Sequence, residues 1–267
     1  MLRSLQTARH SLHREQTRID NLANNLANVA TSGFRQILTR ITEQEAPGVD
    51  RAEPQEPAAP PATRVEQALP LRGAETGWVA ERQLVMSQAV DMRPGSVAAT
   101  GRNLDVALSG RGFFVVRDED GNEYFTRDGG FNVDAAGRLV NAGGMPVQGA
   151  GGAIQIGGGE VTIDAAGDVM AGGTNRGRLR VVDFPAPERL LHRGGGLLAA
   201  PPDMPPNEAA DAQTAVLQGH LESSNVDPVR TLVDMIAAQR AFEIGTKVLQ
   251  ANDEMLGQSV NTLGRNA

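Results

Sequence analysis

The chain contains no cysteine, so it needs no disulfides, cannot build a thiolate metal site, and could cross an oxidising compartment without mispairing. Aromatic residues make up only 3% of its 267 residues. Its core should therefore be modest, and self-association would add stability. No apolar run approaches the length of a membrane span, and Met1–Leu5 lacks the apolar core of a secretory signal peptide. We expect no direct membrane span and, if the protein is exported, a route without signal cleavage.

Positive charge is also scarce. The formal net charge is −7, which argues against a nucleic-acid partner. By contrast, 31 glycines indicate many turns between short strands.

Patterns that would indicate catalysis or a cofactor are missing. The four histidines are not spaced as metal ligands, and the glycine triplets lack the strand, helix and Lys-Ser/Thr of a phosphate-binding loop. The stretch Asp118-x-Asp120-Gly121 faintly resembles a calcium loop, but no acid follows at the required later position, so it predicts a hairpin turn. We therefore expect no enzyme, no catalytic or cofactor-binding residue, no cofactor and no metal site.

Both ends of the chain show helical periodicity. Residues 2–29 and 226–263 carry apolar residues at alternating spacings of three and four, the 3.5-residue period of a coiled-coil seam. The N-terminal stripe is Leu5, Ala8, Leu12, Glu15, Ile19, Leu22, Leu26 and Val29. The apolar C-terminal row is Met235, Phe242, Leu249, Leu256 and Leu263.

A second C-terminal row is broken by Gln239, Thr246 and Asp253. Such a half-polar row suggests a partner on one side only, or a seam that closes only in an assembly. The alternative for both stripes is an ordinary core of helices packed on a sheet. The sequence favours paired terminal helices, and hence assembly over catalysis.

The segment between the helices predicts an α+β chain with a central, mostly antiparallel β-domain. Residues 35–77 are expected to form a connecting segment, because Pro, Ala and Glu at the density seen in 43–70 cannot build a buried face. Residues 78–225 are expected to form the β-domain. Within it, 133–140 and 163–170 repeat a strand, an Asp-x-x-Gly turn and a strand, which suggests successive hairpins of one sheet. Residues 185–212 are interpreted as Pro- and Gly-rich connection.

Several ordered motifs resemble the bacterial flagellar rod and hook proteins. Asn24–Phe34 (NNLANVATSGF) is similar to the N-terminal signature of that family. Leu104–Val116 and Tyr124–Phe131 are similar to its central strand motif, and Leu221–Asp227 and Met235–Phe242 to its C-terminal region. The length and single β-domain look like the rod subgroup, with the distal and proximal types both left open. Met1–Leu5 is more like the distal type, whereas Asp91–Gly95 and the Pro-rich linker lean toward the proximal type.

The resemblance implies a structural subunit of the flagellar basal-body rod, which spans the periplasm. Residues 1–34 and 226–267 would form an inner tube domain. Copies would polymerise helically into a hollow drive shaft that transmits torque and passes exported subunits. Its partners would be itself as a helical homopolymer, other flagellar rod proteins, the hook, and the flagellar type III export apparatus.

The assembly interface is predicted to use the helical stripes and the N-terminal signature. Its predicted residues are Leu12, Ile19, Leu22, Asn24, Asn25, Leu26, Asn28, Val29, Gly33, Phe34, Met235, Phe242, Leu249 and Leu256. For the three asparagines, simple capping of the first helix competes with amide contacts between subunits or recognition by the exporter. A secreted scaffold or adhesin with a β-domain on a helical stalk is the alternative function.

Overall fold

A computed structural model describes residues 2–45, 82–208 and 214–264. It contains two long helices, α1 (Leu2–Ala27) and α2 (Pro228–Gly264), with strands between them. Both predicted helices are confirmed, with bounds within two residues of those expected. The architecture is α+β, with a β-domain between an N-terminal and a C-terminal helix.

The strands are short, and strands β3 to β18 pair with one another in antiparallel fashion. In chain order they are β1 Ile37–Glu45, β2 Arg82–Val90, β3 Val97–Ala99, β4 Val106–Ser109, β5 Phe113–Arg117, β6 Glu123–Thr126, β7 Asn132–Val133, β8 Leu139–Val140, β9 Gln148–Gly149, β10 Gly152–Ala153, β11 Val161–Ile163, β12 Asp168–Ala171, β13 Thr174–Arg178, β14 Val181–Val182, β15 Leu191–Gly194, β16 Leu197–Ala199, β17 Ala215–Gln218 and β18 His220–Glu222.

The largest sheet in the described residues has five strands in the order β14-β5-β6-β16-β15. The strands β11-β12-β13 form a second sheet, and the pairs β1-β2, β3-β18, β4-β17, β7-β8 and β9-β10 complete the set. The chain divides into two compact units, one of Met1–Arg40 and Gln88–Ala267 and the other of Ile41–Ser87. Most of the predicted 43–70 linker lies outside the described residues.

The start of α2 is set by Asp227, just before the helix, and by Pro228, its first residue. Asp227 accepts hydrogen bonds on its side-chain oxygen from the backbone N–H groups of Val229 and Arg230, at 3.0 and 3.1 Å. Pro228 is the first helical residue, where its missing N–H leaves no hydrogen bond unmade. The helix therefore begins at a fixed point, directly after the segment that leaves the β-domain.

The cores of the β-domain are aliphatic, with a few phenylalanines. One cluster includes Val106, Phe114, Phe131 and Leu139, and Phe114 packs edge-on against Phe131 at 5.2 Å. Alternate residues of a strand point to opposite faces, so the other face of β5 packs into a second cluster. This cluster includes Phe113, Val115, Phe125 and Phe184. The apolar run 113–116 is buried throughout because β5 lies between these two clusters.

The repeated hairpins are confirmed, but the single sheet is wrong. In each turn one aspartate oxygen, of Asp134 or Asp164, accepts two backbone N–H groups at 2.8–2.9 Å. Gly137 and Gly167 take the positive φ that each turn requires, at +77° and +85°. The two hairpins nevertheless belong to different sheets, β7-β8 and β11-β12-β13. Strands of two to four residues are too short for the two hairpins to form hydrogen bonds with each other in one sheet.

The interpretation of 185–212 as connection is also wrong in part. It contains β15 and β16, which form the edge of the five-stranded sheet beside β6. Glycine and proline density concealed these strands. Their turn uses Gly194, Gly195 and Gly196, all with positive φ, while Leu198 supplies the one side chain of β16 that is fully buried.

Candidate assembly site

The two helices contact each other within the chain. Leu12 on α1 lies so close to α2 that a Cβ at Gly245 would stand 2.7 Å from its Cδ2 atom. Val29, just beyond α1, packs in one small cluster with Val226, just before α2. Later residues of the N-terminal segment therefore contact earlier residues of the C-terminal segment. The helices are antiparallel.

The predicted seam residues are mostly half-buried. This holds for Leu12, Ile19, Leu22, Leu26, Val29, Met235, Phe242 and Leu249. The side chain of Leu256 lies outside the described part of the chain. Partial exposure of both rows leaves apolar surface that an internal helix pair does not use. Their role at an interface between subunits stays a prediction.

The opposite side of α2 carries exposed apolar residues beside exposed basic ones. Val229, Val233 and Ile244 have 71%, 60% and 63% of their surface exposed, and Ile236 and Val248 continue the same stripe. At 3.6 residues per turn, these five residues face away from Met235, Phe242 and Leu249. We call them the outer stripe. A contiguous stripe of exposed apolar residues is typical of a surface that contacts another protein.

The three signature asparagines make local contacts. Asn25 is fully buried, and its amide both donates to the Ile37 carbonyl at 2.9 Å and accepts from the Ile37 N–H at 2.8 Å. Asn28 donates to the Asn24 carbonyl at 2.8 Å and to its side-chain oxygen at 3.1 Å. Asn25 thus fixes β1 against the last turn of α1. Asn24 is exposed, so its side-chain amide remains accessible to a neighbouring subunit.

Gly33 and Phe34 join the N-terminal segment to the β-domain. Gly33 has φ +64°, and a Cβ there would lie 2.2 Å from the Arg127 carbonyl carbon. Its N–H donates to the Glu222 carbonyl at 2.6 Å. Phe34 is completely buried and packs edge-on against the ring of His192 at 5.1 Å. Both residues are enclosed by their own chain.

A buried ion cluster lies at this junction. The Arg35 Nη2 atom is 2.6 Å from Glu222 Oε1, and the Arg127 Nη1 atom is 3.5 Å from Glu222 Oε2. All three side chains are at most 6% exposed. Glu222 Oε1 also accepts the backbone N–H of Gly95 at 2.9 Å. We call Arg35, Arg127 and Glu222 the junction cluster, because it ties the segment after α1 to β6, β18 and the strap 91–96.

The strap is also held by the side chains of Asn225 and Arg35. The Asn225 amide donates to the carbonyls of Asp91 and Arg93 at 3.0 and 2.8 Å, and its oxygen accepts the N–H of Gln36 at 2.8 Å. Arg35 also donates to the Arg93 carbonyl. The segments just after α1 and just before α2 are thereby linked to one another by polar contacts.

Burial dominates the electrostatics of the junction cluster. Desolvation lowers the pKa of Arg127 to about 10, with the charge of Glu222 acting against that shift. Desolvation likewise lowers the pKa of Arg35, again opposed by Glu222. Burial raises the pKa of Asp91, but hydrogen bonds and charge from Arg93, with the charge of Arg35, outweigh it, so the net pKa is lowered. Both arginines nevertheless remain charged at neutral pH.

Sequence reasoning missed the junction cluster. Arg127 and Glu222 stand inside the motifs Tyr124–Phe131 and Leu221–Asp227, yet only the apolar and amide residues of the motifs were assigned roles. The available signal was a charged residue next to a buried strand residue, as in Phe125-Thr126-Arg127. Pairing across the chain could not be read from spacing, because the partners come from distant segments.

The described residues contain neither a membrane-spanning helix nor a group of metal-ligating side chains. No helix there is long and apolar enough to cross a membrane. Within the same ranges, no group of three or more His, Asp or Glu side chains could hold a metal ion. Two helices in contact, a partly exposed apolar seam and a β-domain anchored by a buried ion cluster are features of a structural protein.

Comparison with known proteins gives the family. Residues 5–35 match the family described as flagella basal body rod protein, residues 107–171 the flagellar hook protein FlgE/F/G D1 domain, and residues 217–263 the flagellar basal body rod FlgEFG protein C-terminal region. The chain belongs to the flagellar basal-body rod protein family. It is a structural rod protein, and the scaffold or adhesin alternative has no support from these relatives.

Similar proteins cover nearly the whole chain. The flagellar basal-body rod protein FlgG of Agrobacterium fabrum is 31% identical over 95% of this chain and 97% of its own length. FlgG of Borreliella burgdorferi is 30% identical over 98% of both chains. The flagellar basal-body rod protein FlgF of Salmonella typhimurium is 33% identical over 89% of this chain and 88% of its own.

Proposed function

We propose that this rod protein polymerises helically through its terminal helices, forming the hollow shaft that transmits torque and passes exported subunits. The observation that carries the proposal is that α2 has rows of apolar residues on two opposite sides. One side carries Met235, Phe242 and Leu249, and the opposite side carries the outer stripe. In a coiled-coil-like arrangement the first side packs on α1 of the same chain, and the second packs on a neighbouring copy.

The energetic argument rests on apolar area. Burying an exposed Val or Ile side chain contributes on the order of 1.5–3 kcal/mol. The outer stripe offers several such residues within 20 positions of α2. A helical array repeats one contact between unlike surfaces without closing. A loss at one stripe position is therefore repeated at every subunit.

We propose that each segment of the chain has a separate role in the shaft. Residues 1–34 and 226–267 form the inner tube domain, 35–77 connect, and 78–225 form an outward-facing β-domain. The junction cluster would transmit load between the helices and the β-domain, because it contains groups from both. Other rod proteins and the hook would be neighbours along the shaft, and the type III export apparatus would deliver the subunit without signal cleavage.

Two acidic substitutions test the assignment. We expect Val233→Asp, on the outer stripe, and Leu249→Asp, on the inner row, to leave the β-domain folded and to abolish polymer formation. Sedimentation of purified protein measures assembly, and far-ultraviolet circular dichroism measures folding. In the source bacterium, replacement of the chromosomal copy by either variant should abolish swimming in soft agar.

The matched control is Val133→Asp, because Val133 is also an exposed valine, 41% accessible, but lies in β7. It makes the same chemical change away from the helices and should leave polymer and swimming intact. Normal polymer from Val233→Asp would remove the outer stripe from the interface. Normal polymer from Leu249→Asp would remove the inner row.

A further inference from the structure

Two asparagines of α1 bind the beginning of β1. Asn25 is completely buried, and its side-chain amide pairs with the N–H and the C=O of Ile37, at 2.8 and 2.9 Å. One turn earlier, Asn21 is 6% exposed. Its Nδ2 donates to the Thr39 hydroxyl and its Oδ1 accepts from the Gln88 amide, both at 2.9 Å. These partners lie twelve or more residues further along the chain, so the two amides do not cap their own helix.

The spacing of the two contacts matches a helix that runs along a strand. Four residues of a helix rise about 6.0 Å, and two residues of a strand rise about 6.6 Å. Asn21 and Asn25 are four residues apart, and their partners Thr39 and Ile37 are two apart in the opposite order. A single contact would leave α1 free to pivot, whereas two contacts one turn apart fix its direction along β1.

A third amide holds the start of α2 to the same backbone. Asn225 stands three residues before the helix. Its side-chain oxygen accepts the N–H of Gln36 at 2.8 Å, and its Nδ2 donates to the carbonyls of Asp91 and Arg93 at 3.0 and 2.8 Å. The Gln36 carbonyl in turn accepts the Asp91 N–H at 2.8 Å. Asn25 and Asn225 therefore bind adjacent residues of one backbone segment, each from the end of a different helix.

Apolar packing at this joint is limited. In the part of the chain that the structure describes, the apolar cluster at the joint has three buried members, Phe34, Ile37 and Val226. Apolar contacts are not directional, whereas a hydrogen bond requires its donor within a narrow range of distance and angle. A buried polar residue in a helix contact can specify one arrangement at a cost in stability. The three amides are therefore the groups that specify how the helices leave the β-domain.

We propose that Asn21, Asn25 and Asn225 are positioning residues that fix the direction of the helix pair relative to the β-domain in the free subunit. We call them the amide clamp. The direction is then a property of the single chain, so this inference does not rest on the proposed polymer. If the chain does polymerise as proposed, every copy enters the shaft at one angle. The alternative is a loose joint whose angle is set by neighbouring copies.

The distance between two spin labels on the unassembled chain tests this proposal. The chain has no cysteine of its own, so His13→Cys on α1 and Thr162→Cys on β11, both at exposed positions, carry the labels. His13 lies twelve residues before Asn25, which places the label about 18 Å along the helix from the clamp. At that distance a swing of about 20° moves the label by about 6 Å. We expect one narrow distance distribution in double electron–electron resonance.

Removing one member of the clamp should widen that distribution at least twofold. Asn25→Ala removes both bonds to β1, and Asn225→Ala removes the three bonds before α2. The matched control is Asn28→Ala, because the Asn28 side chain bonds to Asn24 and Thr31 in its own segment, and it should leave the width unchanged. Samples are compared where circular dichroism shows equal helix content, so a loss of stability alone does not produce the widening.

Two milder variants keep the test decisive if the alanine variants do not fold. Thr39→Val removes the hydroxyl that binds Asn21 and keeps the size of the side chain. Asn225→Asp keeps the acceptor oxygen and removes both donors. Each should widen the distribution, by less than the alanine variants. Unchanged widths in these folded variants would assign the direction to apolar contacts, and a broad distribution without any clamp substitution would assign it to neighbouring copies. Either result would overturn the proposal.

Sedimentation of the same chains separates this inference from the proposed function. A narrow distribution in a chain that never polymerises would keep the amide clamp and refute the proposed assembly. A polymer built from a chain whose free subunits give a broad distribution would do the reverse.

Discussion

Arg35 and Glu222 meet at 2.6 Å between Nη2 and Oε1 although they come from opposite ends of the chain. Arg35 lies just after α1, and Glu222 ends β18 shortly before α2. Their ion pair is buried, and Gly33 donates to the backbone carbonyl of Glu222 beside it. The two helices are thus anchored to the β-domain at one shared point.

Removing the charge of Glu222 should destabilise the protein strongly. Glu222→Gln keeps the shape of the side chain but leaves Arg35 and Arg127 as buried cations without their counter-charge. Breaking a buried pair in this way typically costs about 3–5 kcal/mol. Urea unfolding, followed by circular dichroism, measures the change in the free energy of unfolding.

The control for that variant is Asp203→Asn. Asp203 also forms an arginine ion pair, at 2.6 Å with Arg189, but both side chains are more than half exposed. Water screens such a pair, so no resolvable change in the free energy of unfolding is expected. Equal effects from the two variants would contradict the importance of the junction cluster.

A methyl group at Gly33 should disturb the same junction. Gly33→Ala places a Cβ 2.2 Å from the Arg127 carbonyl carbon, so the backbone of one segment must move. Gly101→Ala is the matched control, because Gly101 has a similar φ of +74° but open space around it. We expect about 1–2 kcal/mol of destabilisation for Gly101→Ala, from the left-handed backbone alone, and a clearly larger loss for Gly33→Ala. Unfolding curves of both variants measure the difference.

His192 should make stability fall in mild acid. Burial lowers the pKa of His192 below its ordinary value of 6.5. Its Nδ1 accepts the Gly194 N–H at 3.1 Å, a bond that requires the neutral ring. The unfolded chain therefore binds the proton first as pH falls. Stability should be complete above pH 6.5 and should decline from there toward the lower pKa of the folded state.

Urea unfolding at pH 7.5 and 5.5 measures that decline. In His192→Leu the loss between these two pH values should be smaller than in the unaltered chain. Arg193→Gln changes the exposed neighbouring residue and should leave the loss unchanged. An unaltered pH dependence in His192→Leu would assign the effect to other groups.

The close approach of the helices should show as coupling between Leu12 and Gly245. Gly245→Val crowds the Leu12 side chain and should destabilise the helix pair by about 1–3 kcal/mol. Leu12→Ala in the same chain should relieve part of that loss, because it removes the atoms that the new side chain meets. Thermal unfolding of both single variants and the double variant gives the coupling energy. Purely additive effects would mean that the two positions do not touch.

Hydrogen exchange tests whether the terminal helices are completed by assembly. The partly exposed seam and the outer stripe predict fast exchange in residues 2–30 and 230–263 of unassembled protein, and protection in sedimented polymer. The buried strand 113–116 is the internal reference and should be protected in both. Strong protection of both ends before assembly would mean that the helix pair is stable by itself.

The sequence was most informative where one period persists over many residues. The apolar residues of α1 and α2 repeat over several turns, so both helices could be predicted with their bounds. The Asp134 and Asp164 turns were also predictable, because Asp and Gly at these spacings specify local hydrogen bonds. Local chemistry was sufficient in each of these cases.

Long-range partners could not be predicted from local patterns. Strand β16 is only three residues long and sits among glycines, and it is a strand because β6 supplies its hydrogen bonds. Glu222 is an ordinary acidic residue until Arg35 and Arg127 are placed beside it. The outer stripe was overlooked for a different reason, since the row Met235–Phe242–Leu249 already explained α2 as amphipathic.

The turn between β5 and β6 has a practical consequence. Asp118 closes that turn by accepting the backbone N–H of Asn122 at 2.8 Å, while Asp120 in the middle is exposed. Since the chain has no cysteine of its own, Asp120→Cys would carry the sole thiol. A fluorophore attached there would sit at the tip of the hairpin and report the growth of single shafts in real time.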